Sequence, residues 1–324
     1  MDNSKYKVWV RCMTFNHSDY IQDALKGFCM QQTSFPFVCT IVDDASTDGE
    51  QEIIKAYLQK CFDLNDSSLV RKEETEDYSL IFARHKENVN CFFAVYFLKY
   101  NHYSIKKSKS PYLEEWNDTK YCALCEGDDY WCSPHKLQCQ VDFLESHPNH
   151  SLCFHAHYGL STNGLKKEIH RYDENKEICL MEHMIRGGGF MATASMLYVG
   201  KLKDDWPEWA QKAPVGDAPL MLVLAERGFV GYINEVMCCY RVAVPGSWSE
   251  RMFKDRHMRK EVFKRIIQYK KGFDKWSCYK YHKCVKKAIA YSYIRYYIAS
   301  LPFGVKLSKR FRKYKKRIFN LLYR

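Results

Sequence analysis

Three carboxylates stand within four residues of one another in "CALCEGDDYWCSPHKL" (122–137): Glu126, Asp128 and Asp129 follow directly on an apolar run. Taken alone, that much negative charge at the exit of an apolar run is explained by a capped turn. A second acidic pair, Asp43-Asp44, closes the apolar run of "FPFVCTIVDDASTDG", and Asp217 opens "VGDAPLMLVLAERG". Aspartates at strand exits and helix starts also serve as turn and cap residues, and that is the reading for Asp43. Other groups invite a metal. Cys122-x-x-Cys125 has a zinc-like spacing, but in a strand i and i+3 point to opposite faces, so it is not read as a ligand pair. His155 and His157 share a strand face and are read as ordinary histidines before a metal pair. Gly187, Gly188 and Gly189 lack a G-x-G-x-x-G frame; they are a hinge or an acceptor-side loop. Trp131 and Trp248 are packing residues first, with stacking on a sugar as the alternative.

The elements that carry these residues follow from periodicity. "KVWVRCMTF" reads as a strand, and residues 18–32 as a helix with apolar Ile21, Leu25 and Phe28 and Ser18 as N-cap. A β-branched strand then stops at Asp43-Asp44, and "DGEQEIIKAYLQKCF" reads as a second helix. This βαβα order predicts a parallel sheet with flanking helices, whose ligands sit beyond the carboxyl ends of the strands. Asp44 and the Asp128-Asp129 pair both lie just past such ends, so the two acidic exits converge on one crevice. Residues 98–119 read as an insertion or long loop. Beyond it follow a strand at "KYCALCEGDD", a helix from Pro134, a strand from His150, a loop and strand over 185–200, a helix from Asp217 stopped by Gly228, and a strand at "FVGYINEVMCCYRV".

Charge divides the chain. Residues 1–250 hold 26 Lys and Arg against 35 Asp and Glu, whereas residues 251–324 hold 24 against three. Two regions are therefore expected: an acidic α/β body over 1–250 and a basic helical region over 251–324. Aromatic and aliphatic residues interleave the cations, and Arg295 and Pro302 interrupt the most apolar stretch, 288–305. An amphipathic segment on an anionic membrane surface is expected rather than a span; a subunit interface and nucleic acid are the other readings. No nucleic-acid module is evident, and the acidic body disfavours that partner. The fifteen cysteines are scattered, and the first apolar run, from Val8, is strand-like rather than a secretory signal. Free thiols in a reducing cytosol are expected.

"TFNHSDYIQDALKGFCMQQ", "IVDDASTDGEQEII", "CEGDDYWCSPHKLQCQVDFLESHP" and "VGDAPLMLVLAERG" occur in that order. Together they resemble the family 2 glycosyltransferases of the GT-A fold, in particular those of bacterial surface-polysaccharide pathways, over about residues 7–245. The resemblance implies a Rossmann-like nucleotide-sugar domain with a mixed, mostly parallel sheet. It implies a nucleotide-diphospho-sugar donor of UDP type, a divalent metal (Mn²⁺ or Mg²⁺), and inversion by direct displacement onto a glycan or lipid-linked acceptor at the cytoplasmic face of the membrane. By residue, Asp129 is a metal ligand, with Asp128 on the metal or the ribose; Glu126 fills the first position of the motif. Asp44 would accept from the nucleobase, Thr14 and Asn16 belong to the donor loop, and Asp217 is the catalytic base, ionised at neutral pH by its helix start. Relatives carry a histidine soon after "YR"; here Ala243 stands there. A donor-side metal or phosphate contact is then either absent, with altered activity, or supplied by Arg241, Ser247, Trp248 or His257. The competing class is a non-catalytic binding protein on the same fold.

Overall fold

The computed structural model describes residues 5–161, 164, 166–169, 181–187, 191–203, 206–242, 250–252 and 255–300. The chain divides into two compact units. The first takes Met1–Ile178, Gly189–Asp204 and Arg227–Val244; the second takes Cys179–Gly188, Asp205–Glu226 and Pro245–Arg324. The basic C-terminal helices therefore share their unit with residues 179–188 and 205–226.

One sheet runs through the first unit. Its strands are β1 (Val8–Thr14), β2 (Phe37–Asp43), β3 (Arg71–Glu74), β4 (Tyr78–Arg84), β5 (Cys91–Leu98), β6 (Tyr121–Leu124), β7 (Tyr130–Trp131), β8 (His150–Ser161), β9 (Lys166–Ile169), β10 (Leu197–Val199) and β11 (Phe229–Val242). The order is β3-β4-β5-β2-β1-β6-β10-β8-β11-β7, with β9 on β8. At its centre β5, β2, β1 and β6 are parallel neighbours. Antiparallel pieces flank them: β3 and β4 on one side, β10 on the other. Every residue of β2 and of β5 is buried. Strands covered on both faces are near-continuous apolar runs, which is why β2 was readable from "FVCTIVD".

The helices of this unit are α1 (Ile21–Cys29), α2 (Glu50–Cys61), α3 (Ser110–Leu113) and α4 (Lys136–Ser146). Ser18 is not the N-cap of α1. That position is Tyr20, and the Ser18 amide instead donates to Asp48 Oδ2 at 2.9 Å, tying the entry of α1 to the loop before α2. Ile21, Ala24, Leu25 and Phe28 bury one face of α1. Gly27 lets that helix touch β7: a Cβ there would sit 2.9 Å from the Trp131 backbone nitrogen and oxygen. Trp131 is a core residue, 1% exposed, with Nε1 donating to Ala194 O at 3.0 Å and its ring edge-on to Phe28 at 4.9 Å.

Lys136, in the first turn of α4, is fully buried. Its ammonium donates to Gln140 Oε1 at 2.6 Å and lies 4.1 Å from the centre of the Trp131 ring. Burial lowers its pKa to about 8. Between about pH 8 and the ordinary lysine value near 10.5, the unfolded chain holds this proton and the folded chain does not, so stability rises with pH across that window. Urea melts of wild type and Lys136→Met are expected to diverge there in favour of wild type, by up to about 3 kcal/mol. Parallel curves would show that the ammonium is not desolvated.

The described cysteines are free thiols, with Cys122 and Cys125 both buried. His155 lies with Nδ1 2.7 Å from Ala156 O, and burial pushes its pKa well down. Gly187 adopts φ +64 directly after α5 (Met181–Arg186), its amide reaching His183 O and Met184 O at 3.1 Å, so it is a helix stop. Gly188 and Gly189 lie outside the described residues.

The second unit contains α5, α6 (Glu208–Gln211), α7 (Asp217–Arg227), α8 (Arg256–Trp276) and α9 (His282–Ser300). Helices α8 and α9 form a hairpin in which Phe263 stacks on Tyr296 at 4.3 Å, and Trp209 packs edge-on against Phe273 at 5.5 Å. Asp255 caps α8 by accepting from the amides of His257 and Met258. Among the described residues no helix is long and apolar enough to cross a membrane; residues 301–324, the rest of the expected basic region, lie outside them.

Candidate active site

Parallel, in-register pairing brings the ends of β1, β2 and β6 to one edge: Thr14 lies opposite Asp43, and Arg11 opposite Leu124. Beyond the strands the backbone stays laced. Cys125 N reaches Arg11 O and Gly127 N reaches Met13 O, both at 3.1 Å, while Asp44 N reaches Thr14 O at 3.0 Å. Thr14 thus stands between the Asp44 exit and the Glu126–Asp129 exit, so the two acidic exits lie on one edge of the sheet. A Cβ on Gly127 would run into the Thr14 side chain, which accounts for the glycine of "EGDD". Asn16, at φ +55, joins the loops by accepting from Thr47 N at 2.8 Å while its own amide donates to Ser46 Oγ at 2.9 Å.

Glu50 fastens this edge, and sequence reasoning passed it over. Fully buried, it accepts from Thr14 Oγ1, from His17 N at 2.9 Å and from Ser46 Oγ at 2.8 Å. Burial raises its pKa. The signal available was Thr47-x-x-Glu50, a capping-box pattern, although the N-cap is Gly49 and the carboxylate turns to the neighbouring loops instead. Asp43 has the turn role: Oδ1 accepts from Ser46 N at 3.0 Å and from Gln51 Nε2 at 2.5 Å.

Asp44 is covered by residues 99–109, which are an ordered loop. The amides of His102 and Tyr103 donate to Oδ1 and Oδ2 at 2.8 and 3.1 Å, Lys109 Nζ lies 2.9 Å from Oδ2, and Asn101 Nδ2 holds the Asp44 carbonyl at 3.0 Å. Asp77, between β3 and β4, fastens the far side of the loop, accepting from Lys107 Nζ at 2.6 Å, from Tyr112 at 2.8 Å and from Tyr100. These contacts depend on β3, β4 and β5, a region without a motif.

Asp129 is 2% exposed. Burial pushes its carboxyl well above the ordinary range, the negative charges of Asp128 and Glu126 push further, and Arg241 offsets part of this. The Arg241 amide donates to Asp129 Oδ1 at 2.8 Å, and its guanidinium holds Asp128 O at 2.7 Å and Asp23 Oδ2 at 2.5 Å between the rings of Tyr20 and Tyr130. Among the described residues no group of three or more His, Cys, Asp or Glu is arranged around a metal. The donors present still suit a hard cation: two neighbouring carboxylates with repulsion to relieve, completed by water and phosphate oxygens. Because the Arg241 guanidinium holds the Asp128 backbone while only the Arg241 amide meets the Asp129 carboxylate, Arg241→Lys is expected to weaken Mn²⁺ affinity about 10-fold, the low end of what loss of a partner behind a metal ligand does. A Mn²⁺ titration matching wild type would refute that.

Asp217 belongs to the second unit and is the first residue of α7, as expected. Its Oδ1 accepts from Ala218 N at 2.7 Å. Burial raises its pKa, so desolvation outweighs the helix start that was expected to favour the anion. Burial pushes up the phenol of Tyr269 on α8, and the Asp217 charge adds to this. His257 lies exposed at the start of α8. Ala243, Ser247 and Trp248 lie outside the described residues.

Residues 12–79 match the model of glycosyl transferase family 2. Uncharacterised proteins of Mycobacterium tuberculosis and Mycobacterium bovis are 30% identical over 238 residues, 73% of this chain and 59% of theirs, so the chain spans about three-fifths of their length. Two solved structures share the fold. The S. aureus TarS fragment 1–349 in complex with UDP has a TM-score of 0.53 at 15% identity, covering 92% of this chain and 73% of that one. The mannosyltransferase PcManGT from Pyrobaculum calidifontis, in complex with GDP-Man and Mn²⁺, has a TM-score of 0.50 at 11% identity, covering 99% and 84%. The large mixed sheet flanked by helices is the GT-A fold.

Proposed function

We propose that this chain is a metal-dependent, inverting glycosyltransferase that moves a sugar from a nucleotide diphosphate to an acceptor hydroxyl in bacterial surface-glycan assembly. The family 2 match over residues 12–79 and the GT-A fold support glycosyl transfer. The observation that carries the reading is the convergence of Asp44 and of Asp128-Asp129 on one parallel strand edge, with Thr14 between them.

Asp44 Oδ1 accepts one bond and keeps a lone pair, and the Lys109 ammonium stands beside Oδ2. An acceptor next to a donor matches the N3–H and C=O edge of uracil and also the N1–H and O6 edge of guanine, whereas cytosine and adenine offer no ring N–H there; the smaller uracil is the donor base favoured by the family resemblance. Thr14 and Asn16 shape the loop under the donor. A divalent cation, when bound, neutralises the departing pyrophosphate, and Asp129 with Asp128 would hold it. Arg241 serves as a positioning residue for both. Asp217 takes the proton of the acceptor hydroxyl; its raised pKa makes it a stronger base than an exposed aspartate. The acceptor is a glycan or a lipid-linked sugar, at the inner face of the cell membrane, where the basic C-terminal region meets anionic lipid.

A thermal-shift screen of UDP-, GDP-, CDP- and ADP-sugars with Mn²⁺ tests the donor, because a ligand bound only by the folded state raises its stability. UDP-sugars are expected to shift the transition, and CDP- and ADP-sugars are not. No shift with any donor, together with no hydrolysis or transfer, would overturn the proposal. Binding without turnover would assign the chain to the non-catalytic class.

A further inference from the structure

The exposed surface of the α8–α9 hairpin is patterned. On α8, His257, Lys260, Lys264, Gln268, Lys271 and Lys275 are exposed at steps of three and four, which is one helical stripe. On α9 the exposed stripe is Lys283, Lys286, Ala290, Tyr293 and Tyr297. At the junction of the helices Trp276, the last residue of α8, keeps 36% exposure with its ring tilted against Trp209 at 5.8 Å, and Tyr279 in the turn is 58% exposed; Lys271 and Lys275 are exposed in the last two turns of α8, and Lys283 and Lys286 in the first two turns of α9.

The turn is built rather than loose. Cys278 and Tyr279 adopt φ +50 and +61, a left-handed conformation that side chains with a Cβ rarely take. Asp274, 7% exposed beneath them, holds it: its carbonyl accepts from Tyr279 N at 2.8 Å and from Ser277 Oγ at 3.1 Å, and its Oδ2 meets His282 Nδ1 at 2.7 Å. Backbone strain held in place by a buried clamp points to a use for what the turn displays. Trp and Tyr favour the headgroup level of a bilayer, and lysines beside them are drawn to anionic lipid. Rings beside cations also suit stacked bases, but the acidic balance of residues 1–250, 26 Lys and Arg against 35 Asp and Glu, disfavours a polyanion as long as nucleic acid.

We propose that the tip of the α8–α9 hairpin docks on an anionic lipid surface, with Trp276 and Tyr279 entering the headgroup layer and Lys271, Lys275, Lys283 and Lys286 neutralising it. The proposal rests on the reading above that the acceptor reaction takes place at a membrane, and it names the part of the chain that makes the contact.

Flotation of the full chain with phosphatidylcholine vesicles, with and without phosphatidylglycerol, is the test. Wild type is expected to float only with the anionic vesicles. Trp276→Ala/Tyr279→Ala, and separately the four lysines changed to Gln, are each expected to lower that binding more than about tenfold. Residues 301–324 are present in every protein compared, so the differences report on the tip. The UDP-sugar thermal shift, measured on the same proteins, checks folding and is expected to be unchanged. Tip variants that float like wild type while keeping that shift would overturn the proposal, as would a wild type that does not float. Oligonucleotide binding that competes with vesicles, is lost in the lysine variant and survives in the aromatic one would assign the surface to nucleic acid instead. A donor shift without flotation sinks only the docking tip, whereas absence of the donor shift sinks the transferase reading whatever the vesicles show.

Discussion

Asp129→Asn is expected to lower donor turnover with Mn²⁺ by about 10³-fold, the scale on which removal of a preorganised electrostatic contact acts. The same variant is expected to be at least as stable as wild type without metal. Asp129 is buried beside Asp128 and Glu126, and its raised pKa means that the folded chain holds a proton that the unfolded chain has already released. Stability is therefore lost as pH rises above the ordinary carboxylate value, and the amide, which carries no charge, escapes that loss. The fold tolerates the change, because an amide oxygen can still accept from the Arg241 amide. Urea melts at two pH values, read beside a turnover assay, check both halves. A variant that stays active, or that is destabilised at neutral pH, contradicts the role given to this carboxylate.

Asp217→Asn is expected to lower kcat by about 10²- to 10⁴-fold, the range of a general base, and to leave the donor KM and the donor-induced thermal shift close to wild type. Asparagine keeps the bond from Ala218 N and so preserves the start of α7. In wild type the acid limb of the rate profile should lie above the ordinary aspartate value, because burial has raised the pKa and the base must be ionised to act. Activity falls as pH drops through that raised value. A variant whose donor KM rises while kcat holds would make Asp217 a donor-binding group rather than a base. In both aspartates desolvation works against the folded state, as is common where carboxylates are kept for chemistry.

The candidate site was only partly legible in the sequence. Asp44, Asp128 and Asp129 could be placed at strand exits because β2 and β6 are buried runs that stop abruptly, and Asp217 because an apolar helix follows it. What holds them was hidden. Arg241 meets Asp129 from 112 residues away, and the amides of His102 and Tyr103 meet Asp44 from 58 and 59. Two of these contacts use backbone amides of a loop whose side chains have no periodicity to read. Ser18 misled for a related reason. Its type suits an N-cap, but whether its backbone or its side chain is used depends on where Asp48 stands, which only the packing of α1 beside α2 decides.

By itself the sequence determined the local elements, since periodicity of burial depends on neighbours a few residues apart: the buried strands β1 and β2, the amphipathic α1, the helix from Asp217, and the basic helices after residue 250. It also determined which residue types stand at the strand exits. Tertiary structure alone decided that Glu50 ties the first two exits together, that Arg241 fixes Asp128 and Asp129, that Lys109 stands on Asp44, and that burial rather than the helix start governs Asp217. Each of these is a contact or a loss of solvent across the fold. Desolvation and long-range hydrogen bonds are set by what surrounds a group in space, and no local pattern along the chain encodes them.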